Sequence, residues 1–384
     1  MVDRPEIASS NESSCPETVA APAGGVLHVS LGALRANYRH LRTLAGGAEV
    51  AGVVKADAYG LGAREVVPAL AEEGCRSFFV AQLCEAAPLL PLLPAGAELF
   101  VLNGLSPGAE GACAATGAIP VLNSLNQVRR WGAEAARRGE ALSAALQVDS
   151  GMSRLGLSPA EVEALAAEPA LLSGLRIVLV MSHLACADEP NHPASEQQRL
   201  AFRRLAARLP AARLSLANSA GMFLGEDFRF DLARPGIGLY GGQPVADGRP
   251  NPMRPVVRLQ ARVVQTREVP AGSGIGYGFS RVADRPMRLA TIGIGYADGW
   301  PRALSNRAAA FFGAARLPIA GRVSMDSTIL DISALEAALR PGDLVDLVGP
   351  HQTLDEVAGL AGTISYEILT SLGHRFERRI EREG

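Results

Sequence analysis

The chain has 384 residues, of which 48% are hydrophobic and 20% charged, with a net charge of −2. Such a length calls for two folded units that share an interface, and such a balance belongs to a globular protein rather than a disordered or fibrous one. The near-neutral charge gives no ground for nucleic acid or an anionic membrane as partner, and no apolar run approaches the ~20 residues of a bilayer span.

Residues 1–25 are rich in Ser, Pro, Glu and Ala and lack a basic start followed by an apolar run. They read as a loose tail rather than a secretion signal, so a cytoplasmic protein is expected. The five cysteines, Cys15, Cys75, Cys84, Cys113 and Cys186, are odd in number and include no C-x-x-C pair. That argues against a disulfide frame and against a metal site.

From Val26 to about Tyr240, short β-branched runs alternate with stretches of helical periodicity. The candidate strands are Glu49–Lys55, Ser77–Gln82, Glu98–Asn103, Ile119–Asn123, Ser143–Asp149, Arg176–His183, Arg213–Asn218 and Phe230–Arg234. Eight parallel strands are the number in a (β/α)₈ barrel. The intervening helices carry their own start signals: Ser158 with Pro159 and Glu161, Ser124 ahead of Leu125, Val128, Trp131 and Ala135 with Gly139 as a stop, and Ser195 with Gln198. Each strand ends on a polar residue, and Lys55, His183 and Arg234 would stand together on one rim, where barrel enzymes place their chemistry.

After a Pro/Gly-rich linker, Gly241–Pro255, apolar residues recur with period two at Val257, Leu259, Ala261 and Val263. Short strands are expected within Leu289–Gly295, Arg316–Ile332 and Asp343–Gly349. One helix is expected after Thr353, which precedes Glu356 in a capping box. The fold class is therefore α/β: a TIM-like (β/α)₈ barrel over 26–250, then a mostly β domain over 251–384.

Of 37 basic residues only Lys55 is lysine. An arginine cannot be deprotonated in a protein, whereas an ε-amine can lose its proton and attack a carbonyl. A leftover surface lysine is the bland alternative. Against it, the strand Val53-Val54 delivers this amine to the barrel rim, with Tyr59 and two glycines just beyond. Apolar walls lower an amine's pKa and favour Schiff-base formation.

The segments VVKADAYGLGA, DSGMSRLGL, MSHLA, NSAG, RPGIGLYG, GYGFS, IGYADGWPR, GRVSMD and ISYE follow one another between Val26 and Arg378. In these the chain resembles the alanine racemases, pyridoxal-phosphate enzymes with an N-terminal barrel and a C-terminal β domain. The resemblance implies that Lys55 holds the cofactor as a Schiff base and that Tyr59, Ser219, Gly236, Ile237 and Tyr366 take its phosphate. His183 and Asn218 would also line the cofactor, and Arg234 would face the pyridine nitrogen. Tyr277 would be the second acid–base group opposite Lys55. Arg154, the Met325 backbone and Asp326 would lie at the substrate, alanine. The resemblance further implies a homodimer whose sites take Lys55 from one chain and Tyr277 from the other.

Two positions depart from the family pattern. Gln147 stands where many members have a modified, negatively charged lysine, and a neutral amide cannot neutralise Arg154. The usual C-terminal tyrosine is missing around Arg378-Arg379-Ile380, a change expected to touch the surface rather than the site. Tyr296 and Asp298 are read only as turn residues at the entrance. Of the rival readings, a decarboxylase would need an acid in place of Arg234, and a cofactor-storage protein would be a barrel alone. A broad-specificity racemase differs only in pocket width. The sequence leaves open whether the product serves wall synthesis or alanine is broken down.

Overall fold

The computed structural model describes residues 23–383; most of the expected N-terminal tail, with Cys15, lies outside them. Strand β1 (Gly25–Ser30) leads into the helix Leu31–Ala45, capped by Ser30, whose hydroxyl accepts from Ala33 N at 3.1 Å. The barrel strands follow: β2 (Glu49–Val50), β3 (Gly52–Val53), β4 (Ser77–Val80), β5 (Glu98–Val101), β6 (Ile119–Leu122), β7 (Leu142–Gln147), β8 (Leu175–Met181), β9 (Arg213–Ser215) and β10 (Leu232–Ala233). Strands β3 to β9 form a seven-stranded parallel sheet in chain order.

The expected first strand is divided at Ala51, and the division closes the barrel. Strand β2 pairs with β10 while β3 pairs with β4. Glu49 N and Ala51 N donate to Asp231 O and Ala233 O, both at 2.9 Å. On the other flank of β10, Asp231 N reaches Leu214 O at 3.0 Å and Arg234 N reaches Ala217 O at 2.9 Å. Strands β4 and β6 are buried along their whole length. They read as continuous apolar runs because a parallel sheet with helices outside is covered on both faces.

The helix starts at Ser158 and Ser124 hold as expected, the first with a reciprocal bond to Glu161, and Gly139 ends its helix in the left-handed region at φ 68°. The start expected at Ser195 is corrected. Pro193 occupies the first turn and His192 is the cap, its Nδ1 accepting from Ala194 N at 3.2 Å, so the helix runs Pro193–Ala206. Proline is preorganised for the first helical position, and that preference sets the boundary. Gln198, freed from capping, turns inward to the rim.

The linker is braced by Asn37, whose amide donates to Leu239 O (3.2 Å) and Arg254 O (2.9 Å) while its oxygen accepts from Arg254 N (2.7 Å). Beyond it lie β11 (Val257–Val269), β12 (Gly274–Ile275), β13 (Arg281–Val282), β14 (Met287–Ile292), β15 (Ala309–Phe312), β16 (Ala315–Pro318), β17 (Thr328–Asp331), β18 (Leu344–Val348) and β19 (Glu377–Glu381). The main sheet runs β16-β15-β18-β11-β1-β19, with β14 joining β11 to β17. The period-two residues Val257, Leu259, Ala261 and Val263 are all buried.

Strand β1 was not foreseen in this sheet: it pairs antiparallel with β11 and parallel with β19. The capping box at Thr353 opens the helix Leu354–Ala361, but a second helix, Ser365–Ser371, follows and carries Tyr366 toward the barrel. Among the described residues no helix is long and apolar enough to cross a membrane.

Candidate active site

A small pocket opens where the barrel strands end. Its walls bring together Lys55, Tyr59, His183, Asn218, Ser219, Arg234, Gly236, Ile237 and Tyr366, all of which the sequence singles out. Eight of these lie on the segments that follow β3, β8 and β9 and on the turn after β10, and the ninth, Tyr366, comes from the helix Ser365–Ser371. Parallel strands bring them to one rim although they are far apart in sequence.

Lys55 does not end a strand. It opens a turn in which Ala56, Asp57, Ala58 and Tyr59 all have left-handed backbone angles, with φ between 52° and 58°. For L-residues this conformation costs roughly 1–2 kcal/mol each, so neighbours must hold it. Ala58 N donates to Val54 O (2.9 Å), and the Asp57 carboxylate accepts from Ala63 N (2.7 Å). A Cβ on Gly60 would stand 2.8 Å from Leu369 O, so that position requires glycine. Arg378 donates to Gly60 O at 2.8 Å. The altered C-terminal segment therefore reaches the lysine turn and is not confined to the surface.

Behind the turn, Tyr59 packs between Tyr240 and Tyr366, with ring centroids 4.6 and 5.8 Å away. Tyr240 donates its hydroxyl to Val53 O at 2.8 Å, at the foot of the lysine turn. Ser219 Oγ accepts from Gly236 N (2.8 Å) and Gly238 N (3.1 Å). A Cβ on Gly236 would overlap the Tyr59 hydroxyl. Hydroxyls and backbone N–H groups thus converge on a cradle that only glycine leaves open, a donor set suited to a phosphate.

Arg234 is buried and donates to Ser215 Oγ and, at 2.6 Å, to Ser182 O. Both partners are neutral, and burial pushes the guanidinium down to about 9, still protonated at neutral pH. Burial, then the charges of Arg234, Arg154 and Lys55, push His183 down to about 3, so its imidazole is neutral. Burial lowers the Lys55 amine, helped by Arg154 and Arg234 and opposed by Glu85. Burial raises the Tyr366 phenol to about 12.

Arg154 sits in an exposed loop wound around Asp149, whose Oδ1 accepts from Gly151 N, Met152 N and Ser153 N at 2.9–3.1 Å. Gln147 is buried at the end of β7, and its carbonyl accepts from Leu157 N at 2.7 Å, closing that loop. Tyr277 and Met325 belong to the β unit and do not line the pocket; they are 70% and 53% exposed. Asp326 pairs with Arg375 at 2.7 Å, and Arg375 also binds the buried Asp298 at 2.7 Å.

Sequence reasoning missed Ser182 and Ser215, the partners of Arg234, and Gln198, whose amide donates to His183 O at 2.9 Å and accepts from Ala185 N at 2.9 Å. It also missed Tyr240. Ser182 and Tyr240 lie inside quoted motifs, MSHLA and RPGIGLYG, and a buried polar residue beside a site residue is the signal that could have found them.

The lone amine, the buried guanidinium with neutral partners and the glycine-floored cradle at a barrel rim define a pyridoxal-phosphate enzyme of the barrel-plus-β class. The family model for the alanine racemase N-terminal domain matches residues 29–244, and that for the C-terminal domain matches 256–380. The chain belongs to the alanine racemase family. It is 58% identical over 359 residues to "Alanine racemase, catabolic" of Mesorhizobium japonicum, covering 93% of each chain. It is 53% identical to an alanine racemase of Brucella canis, again with 93% of each chain covered. The solved alanine racemase of Bartonella henselae with covalently bound pyridoxal phosphate superposes with a TM-score of 0.90 at 44% identity, covering 94% of this chain and 100% of that one.

Proposed function

We propose that this chain interconverts L- and D-alanine, with Lys55 and Tyr277 moving the α-proton on opposite faces of the substrate. The observation that carries the reading is the sole lysine of the chain, delivered as an amine of lowered proton affinity into a pocket that also holds a buried arginine and a phosphate cradle. Those donors fit pyridoxal phosphate. Tyr59, Ser219, Tyr366 and the backbone at Gly236 and Ile237 would hold its phosphate, with His183 and Asn218 along its ring and Arg234 at its nitrogen.

When bound, pyridoxal phosphate supplies a sink for the electron pair left at Cα. Arg234 keeps its proton, so it would offer the ring nitrogen a hydrogen bond without giving up a proton, which would limit the sink and discourage side reactions. Nζ of Lys55 takes or returns the α-proton on one face. Inversion requires a second group on the other face, the role assigned to the Tyr277 hydroxyl. Arg154 and the Met325 N–H would hold the substrate carboxylate.

Tyr277 and Met325 do not line the pocket of their own chain, and both are exposed, with Phe279 beside Tyr277 also 69% exposed. This supports a homodimer in which each site takes the barrel rim of one chain and the β-unit loops of the other. The names of the relatives at 58% and 56% identity specify catabolic enzymes, which supports a part in alanine breakdown.

The reading is tested by L-alanine in D₂O. D-alanine carrying deuterium at Cα is expected, with bulky and cationic amino acids turned over far more slowly, since one methylene in a tight pocket is worth roughly 1–3 kcal/mol. Release of carbon dioxide, or turnover of lysine or arginine faster than alanine, would overturn it.

A further inference from the structure

The left-handed turn that carries Lys55 is tied down by a carboxylate that does not line the pocket. Glu85 follows the end of β4. Its Oε1 accepts from Ala56 N at 2.7 Å, and its Oε2 accepts from Ala81 N at 2.6 Å and Gln82 N at 3.0 Å. The two oxygens are thus committed to donors on two segments distant in sequence, the turn after β3 and the turn after β4. Capping the helix Leu83–Ala86 accounts for the bonds to residues 81 and 82. It does not account for Ala56, the first of the four residues held at positive φ.

We propose that Glu85 is a positioning residue for Lys55: its carboxylate ties the first amide of the left-handed turn to the end of β4 and so fixes the direction in which the lysine side chain leaves the rim. The proposal rests on the reading of Lys55 as the cofactor-bearing amine. An acceptor on both sides is a chemical requirement here. Glutamine has the same shape but offers one oxygen and one NH₂, so one of its ends must point a donor at a donor. A charged acceptor also makes stronger bonds to backbone N–H groups than an amide does. The Glu85 charge favours the protonated Lys55 amine, against burial and the charges of Arg154 and Arg234.

The test compares cofactor-loaded Glu85→Gln with the parent by backbone hydrogen exchange over residues 53–62 and 81–86, by the lysine-linked visible band and by alanine kinetics. Amides 56–59 are expected to exchange about tenfold faster or more. The kcat is expected to fall about tenfold while KM stays within about twofold, because a misaimed reacting group costs rate at the bound stage. Glu85→Ala, which removes the donor–donor clash, is expected to show the same pattern and serves if the amide variant folds poorly. Faster exchange confined to residues 81–86 with kcat unchanged would mean a helix cap only and would overturn the proposal. Unchanged exchange at 56–59 would overturn it too. Absence of a lysine-linked band in the parent would overturn instead the reading on which the proposal rests.

Discussion

The barrel rim and the loops of the β unit dispose of similar side chains in opposite ways. At the rim Tyr59 and Tyr240 are 4% and 1% exposed, packed against each other and tied to the lysine turn. In the β unit Tyr277, Phe279 and Met325 are 70%, 69% and 53% exposed. Large side chains left open to water on a loop mark an interaction surface, whereas a packed, hydrogen-bonded rim is preorganised before any ligand arrives. In the proposed dimer, each chain would offer a packed half-site and, elsewhere, the loops that complete its partner's.

The largest effect should come from removing the rim's reacting group. Lys55→Ala is expected to lose the lysine-linked visible band and at least 10²–10⁴-fold in kcat, the usual contribution of a positioned acid–base group. An unchanged band in that variant would break the assignment. The comparison itself is tested by mixing Lys55→Ala with Tyr277→Phe under conditions of verified subunit exchange. If sites are shared, a mixed dimer has one site with neither defect, and a 1:1 mixture should recover about a quarter of parental activity. No recovery would mean that each chain builds its own site.

A smaller effect is expected at Gln147. It is buried beneath the Arg154 loop, and no hydrogen bond joins its side chain to Arg154 among the described residues. Activity should not respond to added bicarbonate, and Gln147→Glu should lower kcat/KM by about threefold to tenfold through attraction of Arg154, on the scale of one partly exposed ion pair. Unchanged kinetics would separate the two positions. The smallest change should follow Tyr240→Phe, which leaves Val53 O without its 2.8 Å donor. A loss of about 1–3 kcal/mol should appear as a fall of several degrees in melting temperature, with alanine KM unaffected.

Much of this was legible in the sequence. The barrel strands showed because strands covered on both faces must be continuously apolar, as in β4, and the rim residues showed because they end those runs. The remainder was hidden for physical reasons. Nothing in Ala56-Asp57-Ala58-Tyr59 announces positive φ, since none of the four is glycine and their backbone is tied by partners outside them, Glu85 accepting from Ala56 N and Ala63 N donating to Asp57. Ser195 and Gln198 have capping-box spacing, and only Pro193 beside them decides against it. The place of β1 depends on partners more than 200 residues later, at Val257–Ala261 and Glu377–Glu381, which no local pattern encodes.

The pairing of β1 with β19 has a consequence for the order of assembly. Strands β3 to β9 lie next to their sequence neighbours, so their pairing partners become available in order as the chain is made. Strand β1, although made first, must wait for almost the whole chain before its parallel neighbour leaves the ribosome, and Arg378 on that neighbour supplies the bond to Gly60 O. The lysine turn would therefore be among the last parts to settle, which delays a chemically competent amine until the β unit is in place. Ribosome-held chains ending before residue 377 are expected to be cut by protease in the turn Lys55–Gly60, and full-length chains to be protected there; equal protection in both would rule out this order.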